Sequence, residues 1–248
     1  MEPDLLDLLL ELVKVPDSNK SWKREVYDAF NENAFFALSR EQGSKWKVIL
    51  SAFLSNDKER IVEYISRISA ATSSILRSSR DQDRLINVRR LAFIIIGGNI
   101  DQFVGSIGSI KEKLMELART ASIDPIHGEV FLLYRVLMLR FSPTHLVAFW
   151  PIVVSEIQTF FSQILDQAGI LSKEQLPLFF EACKVLDMML VIEFEDFQLY
   201  LTSDVFADDL AKNGSLSPIQ STLSIDLPIV TRLLWLIVWL SGWDRELM

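Results

Sequence analysis

The side chains best suited to catalysis or metal binding are few in this sequence of 248 residues. Its two histidines are His127 and His145, and its single cysteine is Cys183. No His-Glu-x-x-His or Cys-x-x-Cys spacing groups them, so neither a zinc site nor a cofactor is expected. Cys183 would act as a nucleophile only beside a histidine, and its apolar neighbours instead predict a packed helix. An enzyme would therefore need a pocket that joins His127 or His145 to an acid.

Three arginines are the best candidates for binding an anion. Arg77, Arg80 and Arg84 are spaced i, i+3, i+7, so a helix would place them on one face, where they would meet a phosphate or lipid headgroup. Asp81 and Asp83 partly neutralise them. The arginines therefore fit two interpretations, a headgroup site and an ordinary solvated face.

The C-terminal segment is the most apolar stretch of the chain. Trp235, Trp239 and Trp243 are spaced to line one helical face, and only eleven residues separate Arg232 from Asp244. A membrane span needs about 20 apolar residues, so we do not expect this segment to cross a bilayer. Three alternatives remain: a core helix, a partner or dimer interface, and contact with a membrane surface.

Composition narrows the class of protein. Hydrophobic residues make up 50% of the chain and charged residues 23%, which is typical of a folded globular protein. The net charge of −8 makes nucleic acid an unexpected partner, because phosphate binding needs uncompensated basic clusters. A single cysteine excludes an internal disulfide and fits the reducing cytosol. The acidic N-terminus, Met1 to Asp4, does not have the pattern of a secretory signal.

Apolar periodicity and the small number of glycines and prolines predict an all-α fold of about ten helices. We expect stacked helical hairpins, arranged as an α-solenoid or an irregular bundle, although no repeat period is visible. The predicted organisation is a helical domain over 1–210, a mobile loop over 211–226 and a Trp-rich terminal helix over 227–248. That last helix would pack on the domain or form an interface.

Several helix boundaries are predicted from local signals. A helix between Pro3 and Pro16 should be buried on most sides, and a second should span 20–39 and end before Gly43. Residues 69–84 are expected to form an exposed segment or helix end before an apolar helix over 85–96. Other predicted boundaries are an Asn56/Glu59 capping box, a helix from Pro125 to Phe141, a long helix after Ser142 with Trp150-Pro151 as a kink or new first turn, a Ser172/Gln175 capping box and a short helix over 194–206.

Several short stretches resemble the C-terminal region of the Dopey family, in the same order along the chain. They are Phe35-Phe36, Lys45-Trp46-Lys47, Arg90-Leu91-Ala92-Phe93, Leu139-Arg140-Phe141-Ser142-Pro143-Thr144-His145-Leu146, Phe149-Trp150-Pro151-Ile152, Glu156-Ile157, Ala182-Cys183-Lys184-Val185-Leu186-Asp187 and Phe197-Gln198-Leu199-Tyr200. Within them we interpret His145, Trp150, Pro151 and Cys183 as structural, with the proline bending the chain and the indole filling a groove between helices.

The resemblance implies a part of a very large, non-enzymatic trafficking scaffold, cytoplasmic and peripheral on Golgi and endosome membranes. It also implies partners: a large scaffold related to Arf exchange factors, a phospholipid flippase or kinesin light chain. Contact with phosphoinositide or phosphatidic acid is a further implication. We therefore expect a protein–protein interaction module, with self-association through the Trp235, Trp239 and Trp243 face as an additional expectation.

Overall fold

A computed structural model describes residues 3–15, 21–55, 57–68, 77–118, 126–166, 172–173 and 175–192. The chain divides into two compact units, residues 1–185 and residues 186–248. Only residues 186–192 of the second unit are described, and residues 186–191 form the end of one helix.

All regular elements of the described residues are helices, which confirms the predicted all-α class. The α-helices are α1 (Pro3–Leu12), α2 (Lys23–Asn31), α3 (Arg40–Ser55), α4 (Lys58–Ser66), α5 (Arg77–Gly97), α6 (Ile107–Ala118), α7 (Ile126–Arg140), α8 (Pro143–Leu146), α9 (Trp150–Asp166) and α10 (Gln175–Val191). Short 3₁₀ turns cover Asn33–Ala37, Val104–Ser106 and Val147–Phe149.

Helix α5 is the central element of the first unit. It packs most extensively against α7 and also contacts α3 and α4, while α1 packs on α3. Its apolar positions Val88, Leu91, Ile94 and Ile95 are fully buried, because the spacing of three and four residues keeps them on the faces that meet these neighbours. The helix ends at Gly97, one residue beyond the predicted end, where its backbone passes close to Lys47 of α3.

A buried arginine of α5 determines where α2 ends. The Arg90 guanidinium donates from Nε to the carbonyl of Phe30 at 3.2 Å, and from Nη2 to the carbonyls of Asn31 at 2.5 Å and Glu32 at 3.3 Å. These carbonyls belong to the last turn of α2, where they have no partner within the helix. Arg90 is only 6% exposed, and burial lowers its pKa. One side chain therefore caps α2 and fixes it to α5.

The predicted continuous helix over 20–39 is therefore wrong. Glu32 is extended, with ψ of 141°, and the chain re-enters a 3₁₀ turn over Asn33–Ala37. The break turns Phe35 into the core, where its ring centroid lies 4.8 Å from that of Phe30, 5.2 Å from that of Trp46 and 5.3 Å from that of Phe93. Edge-on aromatic packing adds to the burial of these rings.

The predicted boundary at Gly43 is also wrong, because Gly43 lies in the first turns of α3. A Ser39/Gln42 capping box starts this helix: the Gln42 amide donates to the Ser39 hydroxyl at 3.2 Å, and the Ser39 amide donates to the Gln42 carbonyl oxygen at 3.0 Å. The cap of α4 is Asp57, which accepts from the Arg60 amide at 3.2 Å, rather than the predicted Asn56.

Two further expectations need correction. Helix α1 buries Leu6 and Leu9, yet Leu5 and Leu8 are about half exposed, so it is not buried on most sides. Helix α5 begins at Arg77, eight residues before the predicted start at Leu85. Its polar first turns lack the apolar spacing on which the prediction relied, and a helix continues through such a segment without it once packing holds the rest.

The remaining predicted boundaries lie after Ser142 and at the start of α10. A 3₁₀ turn over Val147–Phe149 separates α8 from α9, so Pro151 lies in a new first turn, one of the two predicted alternatives. The Ser172/Gln175 capping box is confirmed: the Gln175 amide donates to the Ser172 hydroxyl at 3.2 Å, and the Ser172 amide to the Gln175 carbonyl oxygen at 3.0 Å. The predicted helix over 194–206, the loop over 211–226 and the Trp-rich helix over 227–248 lie outside the described residues.

Replacing Arg90 by leucine should lower the free energy of unfolding by about 2–4 kcal/mol, because the buried Phe30 carbonyl and the partly buried carbonyls of Asn31 and Glu32 would lose their donor. Urea denaturation measures this change. Arg24→Leu is the matched control, since Arg24 is an exposed arginine on α2 itself. Its effect should stay within about 0.5 kcal/mol. Equal losses in the two variants would contradict the capping role of Arg90.

Candidate interaction surface

The connection from α7 to α9 combines buried anchors with exposed apolar side chains. Phe141, Leu146, Phe149 and Trp150 are all buried, which fixes the path of the chain through this irregular segment. We call residues 139–151, together with the adjoining loop 98–103, the α7–α9 corner. Because these four side chains fill the core, the irregular segment between α7 and α9 has a defined shape.

Asp101 holds the two parts of the corner together. Its Oδ1 accepts from the Ser142 amide at 2.8 Å, its Oδ2 accepts from the Ser142 hydroxyl, and its own amide donates to the Arg140 carbonyl at 2.9 Å. The side-chain and backbone hydrogen bonds from Ser142 hold the pKa of Asp101 below its ordinary value. Asp101 has φ of 59°, a left-handed conformation that aspartate tolerates better than most residues.

The same loop is also fixed to α3. The Gln102 side-chain amide donates to the Ser51 carbonyl at 3.3 Å and to the Ser55 hydroxyl at 2.9 Å. Gly98 precedes it at a point where an added Cβ would lie 2.5 Å from the Phe103 ring, so a larger residue does not fit without movement. Hydrogen bonds therefore hold this loop both to Ser142 and to α3.

Three apolar side chains of this corner are open to solvent. Ile100 is 66% exposed, Leu139 49% and Val147 46%. Ile100 and Leu139 each adjoin a residue of the Asp101 hydrogen-bond network, and Val147 lies in the 3₁₀ turn between α8 and α9. Singly exposed apolar residues are ordinary on a protein surface. Their position on a hydrogen-bonded, irregular segment is what makes them a candidate interaction surface.

Three of the motif residues from the sequence lie in or beside this corner. Trp150 is buried at the start of α9, and Pro151, the second residue of that helix, is exposed. His145 is exposed in the last turn of α8. The corner itself was not predicted from sequence, because its determinant, the contact between Asp101 and Ser142, joins residues 41 positions apart.

Cys183 is separate from the corner and lies on α10. The residue is partly buried, and this burial raises the pKa of the thiol to about 11. A thiol with that pKa stays protonated at neutral pH and is a weak nucleophile. Cys183 therefore has the character of a packing residue.

His127 lies against Glu156, an acid to which the sequence analysis gave no role beyond the family resemblance. Its Nε2 is 3.9 Å from Oε1 of Glu156 on α9, and the Tyr134 hydroxyl donates to Oε2 of the same carboxyl. The three side chains are largely buried between α7 and α9. A histidine beside an acid is the pair that an enzyme would require, and here the two side chains are only 12% and 6% exposed.

The predicted arginine face is only partly described. The backbone of α5 is helical from Arg77 onward, so Arg77, Arg80 and Arg84 have the spacing of one helical face. The Arg84 side chain is half-buried, and those of Arg77 and Arg80 are outside the described residues. Trp235, Trp239 and Trp243 are also outside them.

Among the described residues, no three histidine, cysteine or acidic side chains are grouped closely enough to hold a metal ion. Within the same part of the chain, no helix has both the length and the apolar character that a membrane span requires.

Comparison with known proteins defines the class to which this all-helical chain belongs. The family model described as DOP1 C-terminal matches residues 1–206. The protein dop1 of Emericella nidulans is 31% identical over 228 residues, covering 84% of this chain and 12% of the relative. The protein DOP1B of Mus musculus is 28% identical over 260 residues, covering 93% and 11%. The DOP1 homolog of Drosophila melanogaster is 30% identical over 174 residues, covering 68% and 7%.

The chain belongs to the DOP1 family, also called Dopey, and corresponds to its C-terminal region. This confirms the resemblance found in the sequence. The chain spans about a tenth of the length of the curated relatives it matches. No solved structure is significantly similar to it.

Replacing Trp150 by alanine should lower the free energy of unfolding by about 3–5 kcal/mol, because the buried indole would leave a cavity at the start of α9. Chemical denaturation followed by far-UV circular dichroism measures this loss. Val147→Ala changes an exposed side chain three residues earlier and should cost less than about 0.5 kcal/mol. A near-neutral Trp150→Ala variant would contradict the anchoring role.

Proposed function

We propose that this chain is a non-enzymatic protein–protein interaction module at the C-terminal end of a DOP1-type scaffold in Golgi and endosome membrane traffic. The observation that carries the proposal is the α7–α9 corner, where Ile100, Leu139 and Val147 are exposed on a segment fixed by hydrogen bonds. Family membership supports the scaffold role.

A fixed apolar surface favours binding for a physical reason. Ordering a loop on association costs conformational entropy, and the corner has already lost that entropy on folding. The Asp101–Ser142 contact and the Gln102–Ser51 contact hold it from two sides. A partner would therefore cover Ile100, Leu139 and Val147 without first ordering them.

The side chains with catalytic potential support a non-enzymatic role. The Cys183 thiol is protonated at neutral pH, because burial raises its pKa. His145 is exposed beside Asp101, a carboxylate already occupied by the two hydrogen bonds from Ser142. His127 and Glu156 are adjacent but largely buried. These environments favour packing roles over catalysis.

The partners that we propose are those implied by the family: a large scaffold related to Arf exchange factors, a phospholipid flippase and kinesin light chain. The chain would act on the cytoplasmic face of Golgi and endosome membranes as a peripheral component. Its net charge of −8 favours proteins over nucleic acid as partners.

A binding assay with the purified chain tests the corner directly. The triple variant Ile100→Ser, Leu139→Ser and Val147→Ser should weaken binding to the partner by about tenfold or more, since losing central apolar contacts costs about 1.4 kcal/mol or more. Each of the three purified candidate partners is titrated in turn by biolayer interferometry. Circular dichroism checks that the variant keeps its helical content.

The matched control is the triple variant Val48→Ser, Val62→Ser and Met115→Ser, which changes exposed apolar residues on α3, α4 and α6. It should bind as the wild type does. Equal binding by wild type, corner variant and control would contradict the corner as the interface. Absence of binding to all three candidates would contradict the proposed partners.

A second candidate function is binding of phosphoinositide or phosphatidic acid headgroups by Arg77, Arg80 and Arg84. The helical backbone of α5 from Arg77 onward favours it, because it gives the three arginines the spacing of a single face. Flotation with liposomes containing these lipids should fall when the three arginines become glutamate. Unchanged flotation would contradict this function.

Self-association through Trp235, Trp239 and Trp243 is a separate proposal, supported by their helical spacing in the sequence. Analytical ultracentrifugation of the chain over a range of concentrations tests it. A monomer at the highest concentration would contradict it.

A further inference from the structure

We propose that Glu156, in a buried cluster with Tyr134 and His127, is an acid that makes the packing of α9 on α7 weaken as the pH rises toward neutrality and above. This effect concerns the fold alone and is independent of the proposed binding role.

Glu156 is an acid in an apolar environment. It is 8% exposed, and its neighbours along α9 include the buried Val153, Ile157 and Phe160. Its Oε2 accepts the hydrogen bond from Tyr134, whereas its Oε1 is buried without a hydrogen-bond partner. An ionised carboxylate in this position would leave one charged oxygen unsatisfied, which strongly favours the protonated form.

His127 faces that unsatisfied oxygen. The distance of 3.9 Å between Nε2 and Oε1 is too long for a hydrogen bond, so the imidazole does not satisfy this oxygen. The proton that Glu156 retains therefore lies at the contact between α7 and α9, beside the imidazole.

Two other charged residues of α7 have ion-pair partners elsewhere. Glu129 of α7 pairs with Arg89 of α5, and Arg135 of α7 pairs with Glu181 of α10. Burial, which raises the pKa of Glu156 from 4.5 to about 7, and the Tyr134 hydrogen bond, which lowers it, are the influences on that carboxyl. Burial also raises the pKa of Tyr134, so its hydroxyl remains a donor.

The direction of the pH effect follows from the raised pKa. The folded chain holds the Glu156 proton up to about pH 7, whereas the unfolded chain releases it near 4.5. The stabilisation is complete below about pH 4.5 and is lost as the pH rises through about 7. Within that interval, the folding equilibrium constant should fall by up to about tenfold for each pH unit.

The test compares wild type with Glu156→Gln by denaturant unfolding at several values between about pH 5 and 8. Glutamine keeps the acceptor for Tyr134 and places an amide donor before His127, so it resembles the protonated acid at every pH. The wild type should lose stability relative to this variant as the pH rises. Glu112→Gln, a change of an exposed glutamate on α6, should follow the wild-type profile. Parallel profiles for wild type and Glu156→Gln would overturn the proposal.

Two further measurements keep the test decisive if Glu156→Gln fails to fold. Carbon-13 NMR of the Glu156 side-chain carboxyl in the wild-type chain should give a titration midpoint near 7, and a midpoint near the ordinary 4.5 would overturn the proposal. Tyr134→Phe removes the hydrogen bond that favours the ionised form, so it should move the midpoint to higher pH. An unchanged midpoint would show that Tyr134 only fills space.

Discussion

The buried guanidinium of Arg90 is the interaction on which the arrangement of the first unit depends. It supplies donors to three successive carbonyls at the end of α2, and this gives the chain a stable place to leave the helix. Without that exit, Phe35 would continue along the helix instead of turning toward Phe30, Trp46 and Phe93. A buried cation is costly unless its hydrogen bonds are satisfied, and Asn87 accepts another of them at 3.2 Å.

Arg89, the residue before Arg90, connects a different side of α5 to its neighbours. Arg89 and Arg90 are adjacent, so they point about 100° apart around the helix. Arg90 reaches α2, whereas Arg89 pairs with the buried Glu129 of α7 and lies over the Phe36 ring at 5.5 Å. Two consecutive arginines thus connect the central helix to α2, α7 and the 3₁₀ turn between α2 and α3. Because both partners are fixed, these contacts also determine the rotation of α5 about its axis.

The accuracy of the sequence prediction depended on how local each determinant is. The Ser172/Gln175 capping box and the helix after Pro125 were predicted correctly, because their signals lie within a few residues. The end of α2 was missed, because its determinant is 60 residues away. The Asp101–Ser142 contact and the acid beside His127 were missed for the same reason. No periodicity in α9 distinguishes the buried Glu156 from a solvent-facing glutamate, since the distinction arises only when α7 places Tyr134 and His127 against it.

The corner and the cluster meet in α9, which begins at Trp150 and reaches Glu156 within two turns. A rigid corner requires a firmly packed first turn, and the buried Trp150 provides one through apolar contact that does not depend on pH. The next contact with α7 contains the buried carboxyl of Glu156 instead. The buried Glu156 therefore weakens the packing of α9 as the pH rises, whereas the aromatic core anchors the start of the same helix. The two effects act at different positions along α9. Because apolar packing holds one end of α9 and a protonation equilibrium acts further along it, loosening would begin beyond the corner and leave the exposed apolar side chains in place.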